Sequence, residues 1–281
     1  MFSSTNRHEI EVLIAHFLKK DRLWVLTHQD FVPPSNVINA ILNSARQLIS
    51  GEPLAYIVGY KRFYDVDFFV DKHVLIPRQE TEELIAHVLN SLSSYPVPSL
   101  VADIGTGSGC IGLTLAHLAS QHRYVLVDIS EHALAVAQRN AKQLNISINL
   151  VKFQQGDLLD SFLPQTNLPK LIVANLPYLN EHIYQTLTDS VRLFEPKLAL
   201  SGGPDGLDLC RKLLAHIVAL YPHGAYPEMW WEISPEQKDL LLNDTIKIPH
   251  QYQIAFYQDL SARIRFVHFI PQSFHDVSDT Q

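Results

Sequence analysis

The chain has 281 residues, of which 47% are hydrophobic and 18% are charged, a composition typical of a folded globular protein. No apolar run is long enough to cross a bilayer, so no membrane association is expected. The N-terminal segment has early acidic residues and no small-residue cleavage site, and is expected to be mature sequence. Cys110 and Cys210 lie far apart and form no disulfide framework, which favours a cytoplasmic protein.

The charge balance argues against a nucleic-acid-binding protein. The net charge is −7, from 22 basic and 29 acidic residues, and no basic patch that would grip a phosphate backbone is visible. Direct binding to nucleic acid is therefore not expected. The 14 histidines are scattered, and neither His-x-x-x-His nor Cys-x-x-Cys occurs, so the sequence predicts no metal site.

Two domains are predicted along the chain. Residues 1–75 are expected to form a helical N-terminal domain with a linking hairpin, because 7–20 and 35–50 place apolar residues at helical spacing. Aromatic and β-branched residues in 60–77 predict the strand pair of that hairpin. Residues 76–281 are expected to form the second, larger domain.

Three local signals predict where the early helices begin and end. Ser35 or Asn36 is predicted to cap the second helix, since short polar side chains satisfy the free N–H groups of a first turn. Gly51 is predicted to end that helix. Thr81 is a plausible cap for a further helix over 81–92.

From residue 99 the chain alternates between strand and helix patterns. Seven strands are predicted, at 99–105, 124–130, 148–157, 170–178, 228–234, 252–260 and 263–270. The helices between them are predicted at 109–121, 131–144, 205–221 and 235–243. Such alternation predicts an α/β fold with a doubly wound, mostly parallel seven-stranded sheet. The last two strands have no helix between them, which predicts a hairpin and one antiparallel strand.

A glycine-rich turn, "DIGTGSGCIG" at residues 103–112, ends the first strand of that sheet, where doubly wound sheets bind ligands. Its glycines let the backbone approach a ligand closely, and the helix that follows points free N–H groups at the same place. Gly107, Gly109 and Gly112 also match G-x-G-x-x-G, with Asp128 about 20 residues later, which is the pattern of NAD-binding proteins.

Two details favour S-adenosylmethionine over a dinucleotide. Asp103 precedes the glycines. A carboxylate at this position can order the turn or interact with a cationic ligand, but it is unfavourable beside a pyrophosphate. The glycines also start earlier and lie closer together than in the dinucleotide pattern. The turn residues predicted to bind the cofactor are Asp103, Gly105, Thr106, Gly107, Ser108 and Gly109. Asp128 is predicted to hold the ribose hydroxyls and Asp157 and Leu158 to flank the adenine, although Asp157 also fits a simple Gly-Asp turn.

The stretch "NLPY", residues 175–178, ends the fourth strand on the same crevice. The Asn175 side-chain oxygen and the Leu176 carbonyl would accept both N–H bonds of a planar amino group, and Pro177 would direct that carbonyl. Tyr178 would cover the face of the group. These four residues are the predicted catalytic and substrate-binding residues, and Asn175 is also placed beside the cofactor.

A receptor of this kind suits a nitrogen whose lone pair is delocalised, as in a carboxamide or a nucleobase amine. Holding both hydrogens orients the nitrogen and stabilises the positive charge that develops as a methyl group arrives. The alternative is a strand-end loop in which Asn175 only caps backbone groups.

A family resemblance is carried by five segments: "GEPLAYIVGYKRFYDVDFFVDKHVLIPRQETEELI", "DIGTGSGCIGLTLA", "VDISEHALAVAQRNA", "EPKLALSGGPDGLDLCRKLL" and "YQDLSARIRF". They resemble the release-factor glutamine methyltransferases (the PrmC/HemK family) from about residue 50 to the last strand. The resemblance implies a Rossmann-like methyltransferase that uses S-adenosylmethionine. It implies peptide chain release factors as partners, methylated on the glutamine amide of their Gly-Gly-Gln motif.

The resemblance also implies roles for residues outside the two motifs. Asn175 to Tyr178 would bind the glutamine amide, and the helical N-terminal domain would help to hold the release factor. Arg78, Glu80 and Thr81 would lie near the domain junction as substrate-binding residues. The alternative for these three is an ordinary helix start.

Three departures from the family pattern leave alternatives open. Leu176 replaces the first proline of the signature, Gln79 replaces the proline after the arginine, and Leu158 replaces an aromatic residue of some members. "NLPY" is also the form found in ribosomal RNA adenine dimethylases, so the main alternative is an adenine amino-methyltransferase acting on RNA or DNA. A nicotinamide oxidoreductase and a non-catalytic protein that binds S-adenosylmethionine are further alternatives.

Overall fold

The computed structural model describes residues 4–162, 167–221, 225–243 and 247–272. The chain begins with four helices: α1 (Ser4–Leu18), α2 (Arg22–Thr27), α3 (Ser35–Ile49) and α4 (Leu54–Val58). The apolar spacing predicts α1 and α3, whereas α2 and α4 are too short to show a periodic pattern. Asp21 caps α2, because its carboxylate accepts a hydrogen bond of 2.7 Å from the Trp24 backbone N–H.

The predicted cap of α3 is wrong. Pro34, rather than Ser35 or Asn36, occupies the N-cap position, and within the described residues no side-chain hydrogen bond caps this helix. The proline ring holds Pro34 at a φ of −56° with an extended ψ of 149°, so the bend into the helix comes one residue earlier than predicted. Gly51, with a φ of +97°, follows the helix end as predicted.

The helices are linked to the rest of the chain by a hairpin of two strands, β1 (Tyr60–Phe63) and β2 (Val66–Phe69). Phe63 and Phe68 are fully buried in the same apolar cluster as the next helix, α5 (Glu82–Leu92). The hairpin therefore packs in the same apolar cluster as α5. Only the first half of the predicted strand pair is paired, and residues 70–77 continue without strand pairing.

A central sheet contains seven strands among the described residues: β3 (Leu100–Ile104), β4 (Arg123–Asp128), β5 (Val151–Gln155), β6 (Leu171–Ala174), β7 (Glu228–Glu232), β8 (Tyr252–Gln258) and β9 (Ile264–Pro271). Their order across the sheet is β5-β4-β3-β6-β7-β9-β8. Among these described strands, β9 alone runs opposite to the other six. This confirms the predicted doubly wound, mostly parallel sheet with a terminal hairpin.

Helices cover both faces of the sheet, and the described ones after α5 are α6 (Cys110–Leu118), α7 (Glu131–Gln143), α8 (Glu181–Thr186), α9 (Asp189–Phe194), α10 (Asp208–Leu220) and α11 (Gln237–Leu242). Alternate residues of a strand point to opposite faces. Ala102 and Ile104 of β3 accordingly join the apolar cluster that contains α10, and Val101 joins the cluster that contains α5 and α6. The short helices α8 and α9 are not predicted from the sequence.

The strand order creates a switch point at β3, because its neighbours β4 and β6 lie on opposite sides. A crevice forms at the carboxyl ends of the strands at such a point. Ile104 pairs with one β4 residue and one β6 residue at the same level of the sheet. Gly105, Asp128 and Asn175, which follow those three positions, therefore lie side by side.

Candidate active site

Asp103 organises the glycine turn from the sheet side. Its Oδ2 atom accepts hydrogen bonds from the Thr106 hydroxyl at 2.6 Å and from the Gly112 backbone N–H at 2.9 Å. The residue is 1% exposed, and burial raises the pKa of its carboxyl to about 6 although both hydrogen bonds act in the opposite direction. Asp103 does not border the adjacent cavity, so its position supports a role in ordering the glycine turn.

The turn can lie open to the cavity because its glycines adopt left-handed conformations. Gly107 has a φ of +54°, and a Cβ added to it would meet no described atom within 4 Å. Gly105 has a φ of +71°, and a Cβ there would lie 3.0 Å from the Leu176 side chain. The glycine turn and the loop after β6 therefore pack closely, and a side chain at Gly105 would be strained by its φ and would press on Leu176.

Asp128 joins the glycine turn to the end of β4. Its Oδ2 atom accepts a hydrogen bond of 2.8 Å from the Gly107 N–H, and its Oδ1 atom accepts one of 2.9 Å from the Ser130 N–H. Burial raises the pKa of this carboxyl. Each carboxylate oxygen keeps a second lone pair, so the geometry leaves Asp128 able to accept bonds from hydroxyl groups in the cavity.

A cavity of about 300 Å³ lies between the strand ends and the segment that follows the hairpin. This volume is at the lower end of the range for small-molecule sites. Most of the predicted site residues border it: Gly105, Thr106, Gly107, Ser108, Asp128, Asp157, Leu158, Asn175, Leu176, Pro177, Arg78 and Thr81. Asp103, Gly109, Tyr178 and Glu80 do not border it.

Asp157 and Leu158 form one wall of the cavity. The Asp157 carboxylate is paired with the Lys212 ammonium group, so part of its charge is already neutralised. Leu158 is 6% exposed and has a φ of +58°, a left-handed conformation that is uncommon for a residue with a branched side chain. The wall therefore offers an aliphatic surface from Leu158 beside a polar group.

Asn175 is held by two residues from other elements. Its Nδ2 atom donates to the Thr81 hydroxyl oxygen at 3.2 Å, and that hydroxyl donates to Glu232 Oε2 at 2.6 Å. Thr81 occupies the N-cap position of α5, but the prediction that its side chain caps the helix is wrong. The backbone at Thr81 is already helical, with φ −65° and ψ −20°, and its hydroxyl is engaged by Glu232 instead.

Tyr178 lies behind the cavity wall rather than on it. Burial raises the pKa of its hydroxyl to about 12, and a hydrogen bond with Arg265 acts in the opposite direction. The backbone here is packed closely by a second glycine loop, since a Cβ at Gly206 would lie 2.1 Å from the Tyr178 carbonyl oxygen. That loop is in turn held by Gln237, whose side chain donates to the Gly206 carbonyl at 2.7 Å.

Arg78 borders the cavity and pairs with a buried acid. Its guanidinium lies 2.7 Å from Glu195 Oε1, and the other oxygen of Glu195 accepts a hydrogen bond of 3.1 Å from the Ile76 N–H. Glu195 is 4% exposed, so it fixes the segment after the hairpin to the loop after α9. Glu80, the third predicted residue of this segment, is exposed.

Sequence reasoning did not single out Glu195, Glu232 or Arg265. Each has a visible signal: Glu195 begins the segment "EPKLAL", and Arg265 lies in "SARIRF". Glu232 is an acid within the apolar strand "EMWWEIS", where an unpaired charge would be costly. Glu195 meets Arg78 across 117 residues and Glu232 meets Thr81 across 151, so local patterns do not reveal these contacts.

The sheet, the glycine turn and the loop after β6 define a Rossmann-like methyltransferase. Residues 99–197 match the family model described as a methyltransferase domain, and residues 3–59 match the PrmC N-terminal domain. One solved structure with the same fold is the hMettl16 catalytic domain in complex with the MAT2A 3′UTR hairpin 6. It is 13% identical, covers 86% of this chain and 83% of that chain, and has a TM-score of 0.53.

Curated relatives are closer in sequence. A release factor glutamine methyltransferase of Rhodopirellula baltica is 36% identical over 83% of this chain and 78% of the relative. One of Bacillus subtilis is 39% identical over 68% of this chain and 67% of the relative. The chain belongs to the release factor glutamine methyltransferase family, and its cofactor is S-adenosylmethionine. The predicted family, enzyme class and cofactor are thereby confirmed, and the nicotinamide alternative finds no support.

Membrane-spanning helices and metal-binding clusters are both absent from the described residues. These residues contain no helix that combines the length and the apolar character needed to span a membrane. They also contain no group of three or more histidine, cysteine, aspartate or glutamate side chains arranged to hold a metal ion.

Proposed function

We propose that this chain transfers a methyl group from S-adenosylmethionine to the side-chain amide nitrogen of the glutamine in the Gly-Gly-Gln motif of peptide chain release factors. Such a modification would tune translation termination. The observation that carries the proposal is the position of Asn175, Leu176 and Pro177 on the same cavity as the glycine turn and Asp128, in a chain of this family.

The cavity fits the cofactor by the chemistry of its walls. Gly107 leaves open space where a side chain would stand, and Asp128 keeps lone pairs for ribose hydroxyls. Leu158 supplies an aliphatic surface for the adenine, and Asp157 lies beside it. The cofactor would supply an electrophilic methyl group. These residues would bind and orient the cofactor and would take no chemical part in the transfer.

The acceptor side of the cavity fits a carboxamide. The Asn175 side-chain oxygen and the Leu176 carbonyl would accept both N–H bonds of the glutamine amide, which orients its nitrogen and stabilises the charge that develops on it. Leucine keeps the carbonyl that a proline would present at this position. The proton that leaves the nitrogen becomes acidic once the methyl group is attached, so no strong base is required.

The remaining assignments are proposals of the same kind. Residues 1–75 would form the substrate-recognition domain with its linking hairpin, and residues 76–281 the catalytic domain. Arg78 and Thr81 border the cavity and would contact the substrate there. Glu80 does not border the cavity and would contact the substrate only outside it. The protein would act in the cytoplasm, with no membrane partner and no direct binding to nucleic acid.

Mass mapping of a release factor tests the proposal. The protein is incubated with a release factor and S-adenosylmethionine, and the proposal predicts one added methyl group on the glutamine of the Gly-Gly-Gln motif. Asn175→Ala should abolish the transfer while binding of S-adenosylhomocysteine is largely retained.

An adenine amino-methyltransferase is the second candidate, favoured by Leu176 in the first position after Asn175. A parallel incubation with structured RNA or DNA therefore belongs in the same assay. If nucleic acid takes the methyl group and the release factor does not, the proposed function is wrong.

A further inference from the structure

Glu232 is a buried acid beside the substrate amide site, at the end of β7. It is 5% exposed, and the pairing of Ala174 with Trp231 in the sheet brings Glu232 to the level of Asn175. Its Oε2 atom accepts the Thr81 hydroxyl, and Thr81 is only 2% exposed. Three residues, from the loop after β6, from β7 and from the start of α5, thus form one connected hydrogen-bonded group.

The polarity of this group follows from what each atom can donate. An ionised carboxylate only accepts hydrogen bonds, so the single hydroxyl hydrogen of Thr81 is directed at Glu232. The Thr81 oxygen is then left as an acceptor, and the partner that reaches it, at 3.2 Å, is the Asn175 NH₂ group. Asn175 also interacts with Glu232 itself, which lowers the pKa of that carboxyl.

We infer that Glu232 is a positioning residue that fixes which end of the Asn175 amide faces the substrate, acting directly and through Thr81. The two ends of an asparagine amide have nearly the same shape, so hydrogen-bond partners alone decide its orientation. With the NH₂ group held by Thr81 and Glu232, the oxygen is the end left for the cavity. This inference rests on the proposed function, because it concerns the receptor for the substrate amide.

The reversed amide would oppose the reaction. It would present N–H groups to the N–H groups of the substrate amide, and neither donor would find an acceptor. An unsatisfied donor pair in a closed site costs more than a missing hydrogen bond. The oriented oxygen, in contrast, is fixed before the substrate arrives, which is how preorganised dipoles lower a barrier.

The positive charge of Arg265 on β9 helps to stabilise the negative charge of the buried Glu232 carboxylate. It attracts the Glu232 carboxylate electrostatically and is itself paired with Asp259 at 3.2 Å. Burial is the opposing effect and raises the pKa of Glu232. Arg265 therefore compensates part of the negative charge of Glu232. The hydrogen bonds from the Thr81 hydroxyl and the Asn175 amide supply further stabilisation of the carboxylate.

Glu232→Gln tests the inference because it keeps the shape and removes the acceptor-only character. We expect kcat for release-factor methylation to fall on the order of 100-fold, as when one preorganised group of an active site is lost. Thr81→Val should lower kcat less, since Asn175 also contacts Glu232, and Thr81→Ser should restore it towards wild type. The affinity for S-adenosylhomocysteine should stay unchanged in all three variants.

Glu228→Gln on the same strand is the matched control. Glu228 is a partly buried acid that accepts the Tyr95 hydroxyl at 2.8 Å, remote from the cavity. The Glu228→Gln substitution should lower the melting temperature without lowering kcat. Wild-type kcat in Glu232→Gln, or a Thr81→Ser variant as impaired as Thr81→Val, would overturn the inference. Failure of the wild-type protein to methylate the release factor would instead refute the proposed function.

Discussion

Asn140→Ala is expected to be the most informative stability variant, because one buried side chain joins three parts of the protein. Asn140 lies on α7 and is fully buried. Its Oδ1 atom accepts the Phe69 N–H at 2.7 Å, and its Nδ2 atom donates to the Phe69 carbonyl at 3.0 Å and to the Ser108 carbonyl at 2.9 Å. The residue therefore connects the hairpin with the glycine turn.

The size of the effect follows from these three bonds. A typical hydrogen bond contributes about 1 kcal/mol net, and a buried group left without a partner costs about 1–3 kcal/mol. Loss of all three bonds at one site should lower the free energy of unfolding by about 3–5 kcal/mol, with part of the cost relieved by water entry. For a protein of this size that corresponds to a melting temperature lower by roughly 10 °C.

Gln143→Ala is the matched control for this variant. Gln143 lies on the same helix and donates to the same hairpin, at the Asp67 carbonyl, over 3.0 Å, but it is exposed. Its loss should change the free energy of unfolding by at most about 0.5 kcal/mol. Asn140→Asp keeps the acceptor but turns carboxylate oxygens towards two carbonyls, so it should be at least as unstable as Asn140→Ala.

Urea unfolding followed by tryptophan fluorescence measures these differences. Titration with S-adenosylhomocysteine, monitored by calorimetry, reports on the glycine turn, and we expect weaker binding in Asn140→Ala because Ser108 loses its tie to α7. If Asn140→Ala lost no more stability than Gln143→Ala, the view that Asn140 fixes the hairpin to the glycine turn would be refuted.

Further predictions concern three residues, Gly206, Glu195 and Glu232, that pack against residues proposed to bind the substrate. Gly206→Ala places a Cβ 2.1 Å from the Tyr178 carbonyl at a φ of +79°, and should lower kcat in a folded protein, as steady-state kinetics and circular dichroism would show. Glu195→Gln removes the charge opposite Arg78 and should reduce kcat/KM, whereas an unchanged value would contradict a role for that ion pair. Burial raises the pKa of Glu232 to about 7, and the charges of Arg265 and Glu80 and the Tyr178 hydroxyl also interact with it electrostatically. The carboxyl becomes protonated as pH drops below about 7, so kcat should fall there, and Glu232→Gln should remove that pH dependence. Since the folded-state pKa exceeds the usual value, the same carboxyl should favour the folded state at low pH, and urea titrations should show that contribution lost as pH rises through about 7.

Local patterns in the sequence determined the elements and the two motifs of the site. The alternation of strands and helices predicted the sheet, and the glycines after β3 predicted the turn beside Asp128. These signals are readable because the period of apolar residues and the conformational freedom of glycine act over a few residues. The short helices α8 and α9, of six residues each, were not predicted from their local patterns.

The tertiary structure alone decided which side chains meet. Thr81 looked like a helix cap, but Glu232, 151 residues further along the chain, takes its hydroxyl. Arg78 finds Glu195 at a separation of 117 residues, and Asn140 finds the hairpin at 71. Such contacts depend on strand order and register, which no local pattern encodes. The sequence therefore pointed to the proposed amide receptor at Asn175, whereas the fold brought Thr81 and Glu232 to its side chain.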